Sequence, residues 1–228
     1  MEENEVIREE HGIKVEGNRV LSKTFLWMFL GLLVSGIAAW YTFSSNLFTY
    51  IYMGNLFNTL LIVEIVVVII FSLLFKKLPA SVVAILYFAY AIINGITLSV
   101  IFAVFVLDSI LYCFIVAALA FGGMALFGYK TSVDMHKFAP MLFGFLIAGI
   151  VMSVVNIFVG NDMLEIVISW VVLLVFFGIT AYDIQKIKNM QYFGDVPENK
   201  IHIYGAMQIY LDFINIFLRV LSIFGKRR

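Results

Sequence analysis

Seven long stretches of hydrophobic residues, separated by short polar connections, dominate the pattern of this chain. They cover residues 23–43, 56–75, 80–103, 108–128, 138–159, 164–186 and 202–224. A helix needs about 20 apolar residues to cross the core of a bilayer. The pattern therefore predicts an all-α polytopic membrane protein with seven transmembrane helices. They would form one domain over residues 23–225, after a polar segment at 1–22 and before a basic tail at 226–228.

Composition supports this class of protein and excludes several others. Hydrophobic residues make up 63% of the chain and charged residues 13%, whereas soluble domains average about 45–50% and about 25%. The formal net charge is zero, which gives no sign of a nucleic-acid partner. One cysteine and three scattered histidines predict neither a disulfide nor a zinc site. We expect no cofactor, and we expect the lipid bilayer as the immediate partner.

The distribution of lysine and arginine predicts the orientation of the helices. Eleven basic residues lie before or at the start of the first helix, or in or at the edge of the second, fourth and sixth connections, and the connections at 44–55, 104–109 and 160–163 have none. Basic residues concentrate on the cytoplasmic side of a membrane. The N-terminus is therefore expected in the cytoplasm.

The basic tail conflicts with this orientation. Seven spans from a cytoplasmic N-terminus place residues 226–228 outside, against the charge bias. Either the last segment spans the membrane despite its tail, or it enters and returns, which gives six spans and a re-entrant piece. The first interpretation is simpler, because packing against other helices can hold the segment in place.

The last hydrophobic segment carries polar residues at helical spacing. Gln208, Asp212, Asn215 and Arg219 follow one another at intervals of four, three and four residues, which places them on one face of a helix. Ionisable groups in a membrane helix usually face the interior of a bundle or an aqueous cavity. This stripe predicts a central seventh helix that the other six enclose.

Asp183 in the sixth segment is the natural partner of Asp212. The sixth helix descends toward the cytoplasm and the seventh returns, so the two carboxylates are expected to meet in the inner half of the membrane. Close carboxylates in a water-poor site tend to share a proton, and their oxygens also suit a hard cation such as calcium. The pair is thus a candidate proton-sensitive latch and calcium site. Alternatively, Asp183 only caps the membrane interface together with Lys186 and Lys188.

A second candidate pair joins Glu64 to Arg219. Glu64 lies within the second segment among apolar neighbours, and Arg219 lies near the outer end of the seventh. A buried charge normally has a partner, and the two depths are compatible. Their pairing would close the outer end of a pathway.

Two motifs resemble the Bax inhibitor-1 family, also called the transmembrane Bax inhibitor motif family. They are AYDIQKIK in the sixth helix and IYLDFINIFLRVL in the seventh, and the short connections are similar to those of the bacterial branch. The resemblance implies a pH-sensitive calcium leak in the bacterial inner membrane, with Asp183 and Asp212 as a di-aspartyl pH sensor. It also implies a second-helix acid at Glu64 and an outer arginine near Arg219.

The family's bacterial members place an arginine late in the second helix as a partner of the aspartates. Here the corresponding residues are LLFKKLP, so Lys76 or Lys77 would have to take this role. Lysine lacks the planar, two-point hydrogen bonding of a guanidinium group.

Three functions compete at this point. The leading hypothesis is passive, pH-gated permeation of calcium, with calcium and protons as the small partners and no enzymatic activity. The second is a regulatory protein that binds and restrains other membrane proteins, such as a protease or cell-death machinery. The third is intramembrane aspartyl proteolysis. Tyr182 and Asp183 fit half of its signature, but residues 209–212 are Ile-Tyr-Leu-Asp where Gly-x-Gly-Asp would be needed.

Overall fold

Nine α-helices make up the described part of the chain. The structure, a computed structural model, describes residues 2–45, 47–54, 56–189, 193–194 and 196–228, and side chains from residue 16 onward. The helices are α1 (Glu2–Ser44), α2 (Leu47–Met53), α3 (Leu56–Leu74), α4 (Ala80–Leu98), α5 (Val100–Val104), α6 (Leu107–Lys130), α7 (Ala139–Val159), α8 (Asp162–Lys188) and α9 (Glu198–Phe224).

Seven helical stretches are long and apolar enough to cross a membrane. Six of them are single helices or parts of one, and α4 with α5 forms the remaining one as Ala80–Val104. The predicted all-α class with seven spanning helices is confirmed. Two features differ from the expected pattern. α1 includes the polar N-terminal residues from Glu2 onward, and the first connection contains the short helix α2.

Local sequence explains several helix ends. Pro79 precedes α4 with φ −66° and ψ 152°. Proline suits this position, because its ring fixes φ near this value and the start of a helix does not need the amide donor that proline lacks. Gly160 ends α7 in the left-handed region at φ 66°, which a glycine adopts without strain. Asn161 then caps α8 by accepting a hydrogen bond from the Leu164 amide at 3.0 Å.

The spanning helices differ in how much of their surface the protein covers. α3 and α7 are the most exposed, and their outer faces carry large aliphatic side chains such as Ile62, Ile65, Ile147 and Ile157. Such faces suit lipid tails. α9 is the most buried spanning helix, and its predicted enclosure by the other six stays a prediction.

The chain forms two compact units. Unit 1 contains residues 1–104, 190–210 and 228, and unit 2 contains residues 105–189 and 211–227. In unit 1, α1 and α3 pack against α4. The first half of α9 contributes Tyr204, whose ring stacks on Phe75 with centroids 3.9 Å apart. In unit 2, α6 and α7 pack against α8, and Phe213 of α9 contacts Phe114 and Phe121 of α6.

The residues after α9 pair with the segment before α6 in unit 2. Phe105 and Arg227 form an isolated antiparallel bridge. The Val106 amide donates to the Lys226 carbonyl oxygen at 3.0 Å, and the Lys226 amide donates to Ser109 Oγ at 2.8 Å. This short pairing, which we call the terminal strap (residues 105–109 with 226–227), fixes the end of α9 to the start of α6.

Candidate functional site: a buried aspartate pair

Asp183 of α8 and Asp212 of α9 both lie in unit 2 and are both buried. Only 4% of Asp183 and 3% of Asp212 remains exposed. The two carboxyl groups are close enough to interact electrostatically. The two helices therefore bring together, within one unit, the acids that the sequence marked as a pair.

Few donors surround the Asp212 carboxyl group. Thr180 lies beside it, one turn before Asp183, but the Thr180 hydroxyl donates to the Phe176 carbonyl oxygen at 2.8 Å. Within the described part of the chain, Asp212 Oδ2 is buried without a hydrogen-bond partner. A hydroxyl has one proton to donate, so Thr180 must divide it between the Phe176 carbonyl oxygen and the Asp212 carboxyl group.

The two lysines that follow Asp183 in α8 make different contacts. Lys186 attracts the charge of Asp183, and its Nζ atom lies 5.7 Å from the centroid of the Tyr182 ring. Lys188 instead contacts Tyr129, donating to its carbonyl oxygen at 2.8 Å and lying 4.1 Å from its ring centroid. Lys186 is thus the lysine that can compensate Asp183, while Lys188 attaches α8 to α6.

A close approach of α6 to α8 sets the position of Asp183. Gly128 of α6 lies so close to Ala181 that an added Cβ would collide with the Ala181 carbonyl oxygen and lie 2.7 Å from its Cα. Only glycine permits this distance between the two backbones. The contact lies two residues before Asp183 in α8, so it holds the backbone that carries the carboxylate.

A side-chain clamp fixes the connection that follows α6. Gln185 Nε2 donates to the Val133 carbonyl oxygen at 2.8 Å, and Gln185 Oε1 accepts from the Met135 amide at 2.8 Å. Both bonds join α8 to the segment between α6 and α7, just beyond the aspartate. Sequence reasoning did not single out Gln185, because a polar residue near a helix end has many ordinary explanations.

The remaining members of the polar stripe have different surroundings. α9 is continuous, so Gln208, Asp212, Asn215 and Arg219 share one helix face. Asn215 Nδ2 donates to the Leu211 carbonyl oxygen of its own helix at 2.8 Å. Gln208 belongs to unit 1, whereas the other three belong to unit 2.

Arg219 lines a cavity of about 410 Å³ at the other end of α8. Asp162, Glu165 and Asn161 also line it, and Glu165 in turn accepts a hydrogen bond from Arg227 at 3.5 Å. Sequence reasoning did not single out Glu165. An acid in the first turn of a helix is common, since it complements the helix dipole.

Glu64 has partners in unit 1. Thr97 Oγ1 donates to Glu64 Oε1 at 2.6 Å, and Asn94 Nδ2 donates to Glu64 Oε2 at 3.4 Å. Arg219 belongs to unit 2, and the proposed Glu64–Arg219 pair stays a prediction. Lys76 and Lys77 are exposed residues of unit 1, and their predicted role as the latch cation also stays a prediction.

The aspartate pair supplies only part of a calcium coordination shell. Among the described residues, no group of three or more His, Cys, Asp and Glu side chains is arranged to hold a metal ion. Calcium takes six to eight oxygen ligands, so two aspartates supply only part of such a set. A passing ion would keep much of its water.

These features define a class of protein: a multi-pass, all-α membrane protein with a buried carboxylate pair on two of its spanning helices. The family described as "Inhibitor of apoptosis-promoting Bax1" matches residues 17–228. The chain therefore belongs to the Bax inhibitor-1 family.

Similar proteins occur in distant bacteria. The inner membrane protein YbhL of Escherichia coli (strain K12) is 38% identical over 214 residues, which cover 91% of this chain and 92% of the relative. A protein of Borreliella burgdorferi is 33% identical over 216 residues, covering 92% and 93%. Protein RP147 of Rickettsia prowazekii is 32% identical over 213 residues, covering 92% and 90%. These names describe no enzymatic activity.

Proposed function

We propose that the protein is a calcium leak pathway whose opening depends on the protonation of Asp183 and Asp212. The observation that carries this proposal is the burial of two interacting carboxyl groups within one unit of a membrane protein. The membership of the Bax inhibitor-1 family supports it. Under this proposal the N-terminus is cytoplasmic and the protein resides in the bacterial inner membrane. The relative YbhL is named an inner membrane protein.

The surroundings of the pair supply the physical basis of the gate. A shared proton leaves the pair with one negative charge, which Lys186 can compensate. Loss of that proton places two negative charges in a site where Asp212 Oδ2 has no donor among the described residues. Burying an uncompensated charge is costly, so the two carboxylates must then move apart, or water or a cation must enter between them. Each of these changes favours permeation.

A second function has support of its own. The family's description names the inhibition of another protein. A regulatory role would make the membrane protein that it binds the essential partner. In that case the aspartate pair would set the shape of the binding surface, and the protein would conduct no ions.

Calcium flux into liposomes that contain the purified protein tests the proposal. The wild type is compared at several pH values with Asp183→Asn, Asp212→Asn and the double variant. We expect a flux that rises with pH in the wild type and loses its pH dependence in each variant, because an amide cannot exchange a proton in this range. Asp108→Asn is the matched control, since Asp108 is an exposed acid in the first turn of α6.

Three results would count against this function. Flux that keeps its pH dependence in the double variant would remove the aspartates from the gate. Equal loss in Asp108→Asn would point to a general effect of charge. No flux at any pH, together with a membrane protein that copurifies in stoichiometric amounts, would favour the regulatory function.

A further inference from the structure

A continuous chain of hydrogen bonds crosses unit 1 from α1 to α3. Ser35 Oγ lies 2.7 Å from the Tyr210 hydroxyl oxygen and 2.7 Å from the Ala91 carbonyl oxygen. The Tyr210 hydroxyl lies 2.8 Å from Asn94 Oδ1, and Asn94 in turn contacts Glu64. Ser35 is 2% exposed and Tyr210 is fully buried. Four spanning helices thus contribute to one polar chain that ends on an acid.

Counting protons shows that an ionised Glu64 leaves this chain one proton short. A carboxylate can only accept, so Asn94 must turn its amino group toward Glu64 and accept from Tyr210 with its oxygen. Tyr210 has then used its proton, and Ser35 must donate to Tyr210. The Ala91 carbonyl oxygen, 2.7 Å from Ser35 Oγ, receives no proton from the serine.

A proton on Glu64 removes this deficit by reversing the chain. The carboxyl group donates to the Asn94 oxygen after a half-turn of the amide group, which exchanges two groups of nearly equal size. Asn94 then donates to Tyr210, Tyr210 donates to Ser35, and Ser35 donates to the Ala91 carbonyl oxygen. Each contact from Glu64 to the Ala91 carbonyl oxygen now contains one proton, whereas the Gly31 carbonyl oxygen, 3.0 Å from Ser35 Oγ, receives none from the serine in either state.

Thr97 accommodates both states. Its hydroxyl lies 2.6 Å from Glu64 Oε1 and 2.9 Å from the Asn94 carbonyl oxygen. It can donate to Oε1 in both states, because the proton of a protonated Glu64 lies on Oε2 and points toward Asn94. The site therefore holds the carboxyl group in either form without moving a helix.

We infer that Glu64 is a second proton-binding site of the protein, and that Tyr210 of α9 reports its state through the reversal of the Asn94–Tyr210–Ser35 hydrogen bonds. The inference concerns unit 1 and does not rest on the proposed function of the aspartate pair. It gives the first half of α9 a proton-dependent contact within unit 1.

The titratable groups around Glu64 are tyrosines. Tyr90 of α4 and Tyr210 of α9 both interact electrostatically with it. Tyr52 of α2 contacts Phe57 of α3, two turns before Glu64. The described part of unit 1 places no cationic side chain in an ion pair with Glu64; its ion pairs join Arg19 and Lys23 to Glu198. A proton is therefore the cation that unit 1 offers this carboxylate.

Fluorine NMR of the full chain, labelled with 3-fluorotyrosine and held in lipid nanodiscs, tests this inference. The Tyr210 resonance is the one that disappears in Tyr210→Phe. We expect it to shift with pH in the wild type, with the same midpoint as the infrared carboxylic-acid band that is absent in Glu64→Gln. In Glu64→Gln the Tyr210 resonance should stay at its low-pH position at every pH, because a glutamine amide donates as the protonated acid does.

Tyr87 provides an internal control. It is buried and its ring centroid lies 6.1 Å from that of Tyr210, but its hydroxyl donates to the Trp27 carbonyl oxygen at 2.8 Å, outside the chain. Its resonance, assigned with Tyr87→Phe, should not follow the Glu64 midpoint, and Asp183→Asn should leave the Tyr210 shift unchanged. A Tyr210 shift that survives in Glu64→Gln would overturn the inference. A Glu64 band that titrates while Tyr210 stays still would do the same, as would the absence of both changes.

Discussion

The two units of this protein place acids inside spanning helices and stabilise them in opposite ways. In unit 1, Glu64 receives hydrogen bonds from Thr97 and Asn94. In unit 2, the described surroundings of Asp212 leave Oδ2 without a donor, and its acidic neighbour is Asp183. A carboxylate with donors is stable in either protonation state, whereas one without them is costly when charged. The comparison teaches that buried acids differ in how well their charge is compensated, and under the proposed function the poorly compensated pair is the gate.

Replacing each acid by leucine should show the largest difference between the two units, because the stability should change in opposite directions. Glu64→Leu should lower the free energy of unfolding by about 1–3 kcal/mol, because the Asn94 amide loses its partner in a buried site. Asp212→Leu should instead leave stability unchanged or raise it by up to about 1–3 kcal/mol, since it removes an unsatisfied buried oxygen. Thermal unfolding of both variants in one detergent measures the difference in sign.

The matching amide variants sharpen this test. Glu64→Gln retains an acceptor for Thr97 and a partner for Asn94, so it should recover most of the stability that Glu64→Leu loses. If Asp212→Leu proved as destabilising as Glu64→Leu, the contrast between the units would be wrong.

Adding one methyl group at Gly128 should disturb unit 2 alone. Gly128→Ala forces α6 away from Ala181, and we expect a loss of about 1–3 kcal/mol in unfolding free energy, as for other overpacked contacts. Asp183, two residues farther along α8, should move with its backbone, so the pH dependence of calcium flux should also change. The infrared carboxylic-acid band of Glu64, in unit 1, should keep the same pH midpoint in this variant.

Gly123→Ala is the control for this substitution. It lies in the same helix, but among the described residues no heavy atom other than those of its own stretch of helix lies within 4 Å of an added Cβ. We expect it to be neutral or to stabilise by up to about 1 kcal/mol, because alanine favours a helix more than glycine does. Equal losses in the two variants would show that glycine content, rather than the close approach, matters in α6.

The smallest expected effect concerns a neutral polar group in unit 1. The Tyr52 hydroxyl is buried without a hydrogen-bond partner among the described residues, and burial raises the pKa of Tyr52 to about 12. Tyr52→Phe should therefore stabilise slightly at neutral pH, by about 1 kcal/mol or less.

The advantage of Tyr52→Phe should grow at high pH. Wild-type stability from this group is complete below the unfolded pKa near 10 and declines as the pH rises toward 12, because the unfolded chain ionises first. Unfolding measured from about pH 9 to 12 should show this divergence. Parallel curves for the two proteins would show that Tyr52 is more solvated than its position indicates.

The sequence predicted the spanning helices from local patterns, and it predicted the approach of Asp183 to Asp212 from the order of two consecutive helices. Long apolar runs predict spanning helices without knowledge of their neighbours, and the spacing from Gln208 to Arg219 predicts a shared face. Even so, α2 escaped notice, since seven residues, Leu47–Met53, are too few to cross a bilayer.

The partners of Glu64 could not be predicted in the same way. Asn94 is an isolated polar residue beside a glycine, and Tyr210 resembles any other aromatic residue of an apolar helix. Their roles depend on contacts between residues far apart in the chain, such as Ser35 with Tyr210. A single sequence contains no signal for such contacts. The same holds for Arg219 of α9 and Glu165 of α8, which line one cavity although they lie in different helices.

The terminal strap limits how the last helix can move. A piston-like slide of the end of α9 along its axis would break the bonds of Lys226 to Val106 and Ser109 and would pull Arg227 away from Glu165. Rotation about the axis near residue 225 would leave those bonds nearly in place. The terminal strap thus restrains translation of the second half of α9 along its axis and permits rotation about that axis. Any change that begins at Asp212 should therefore travel along this helix as torsion.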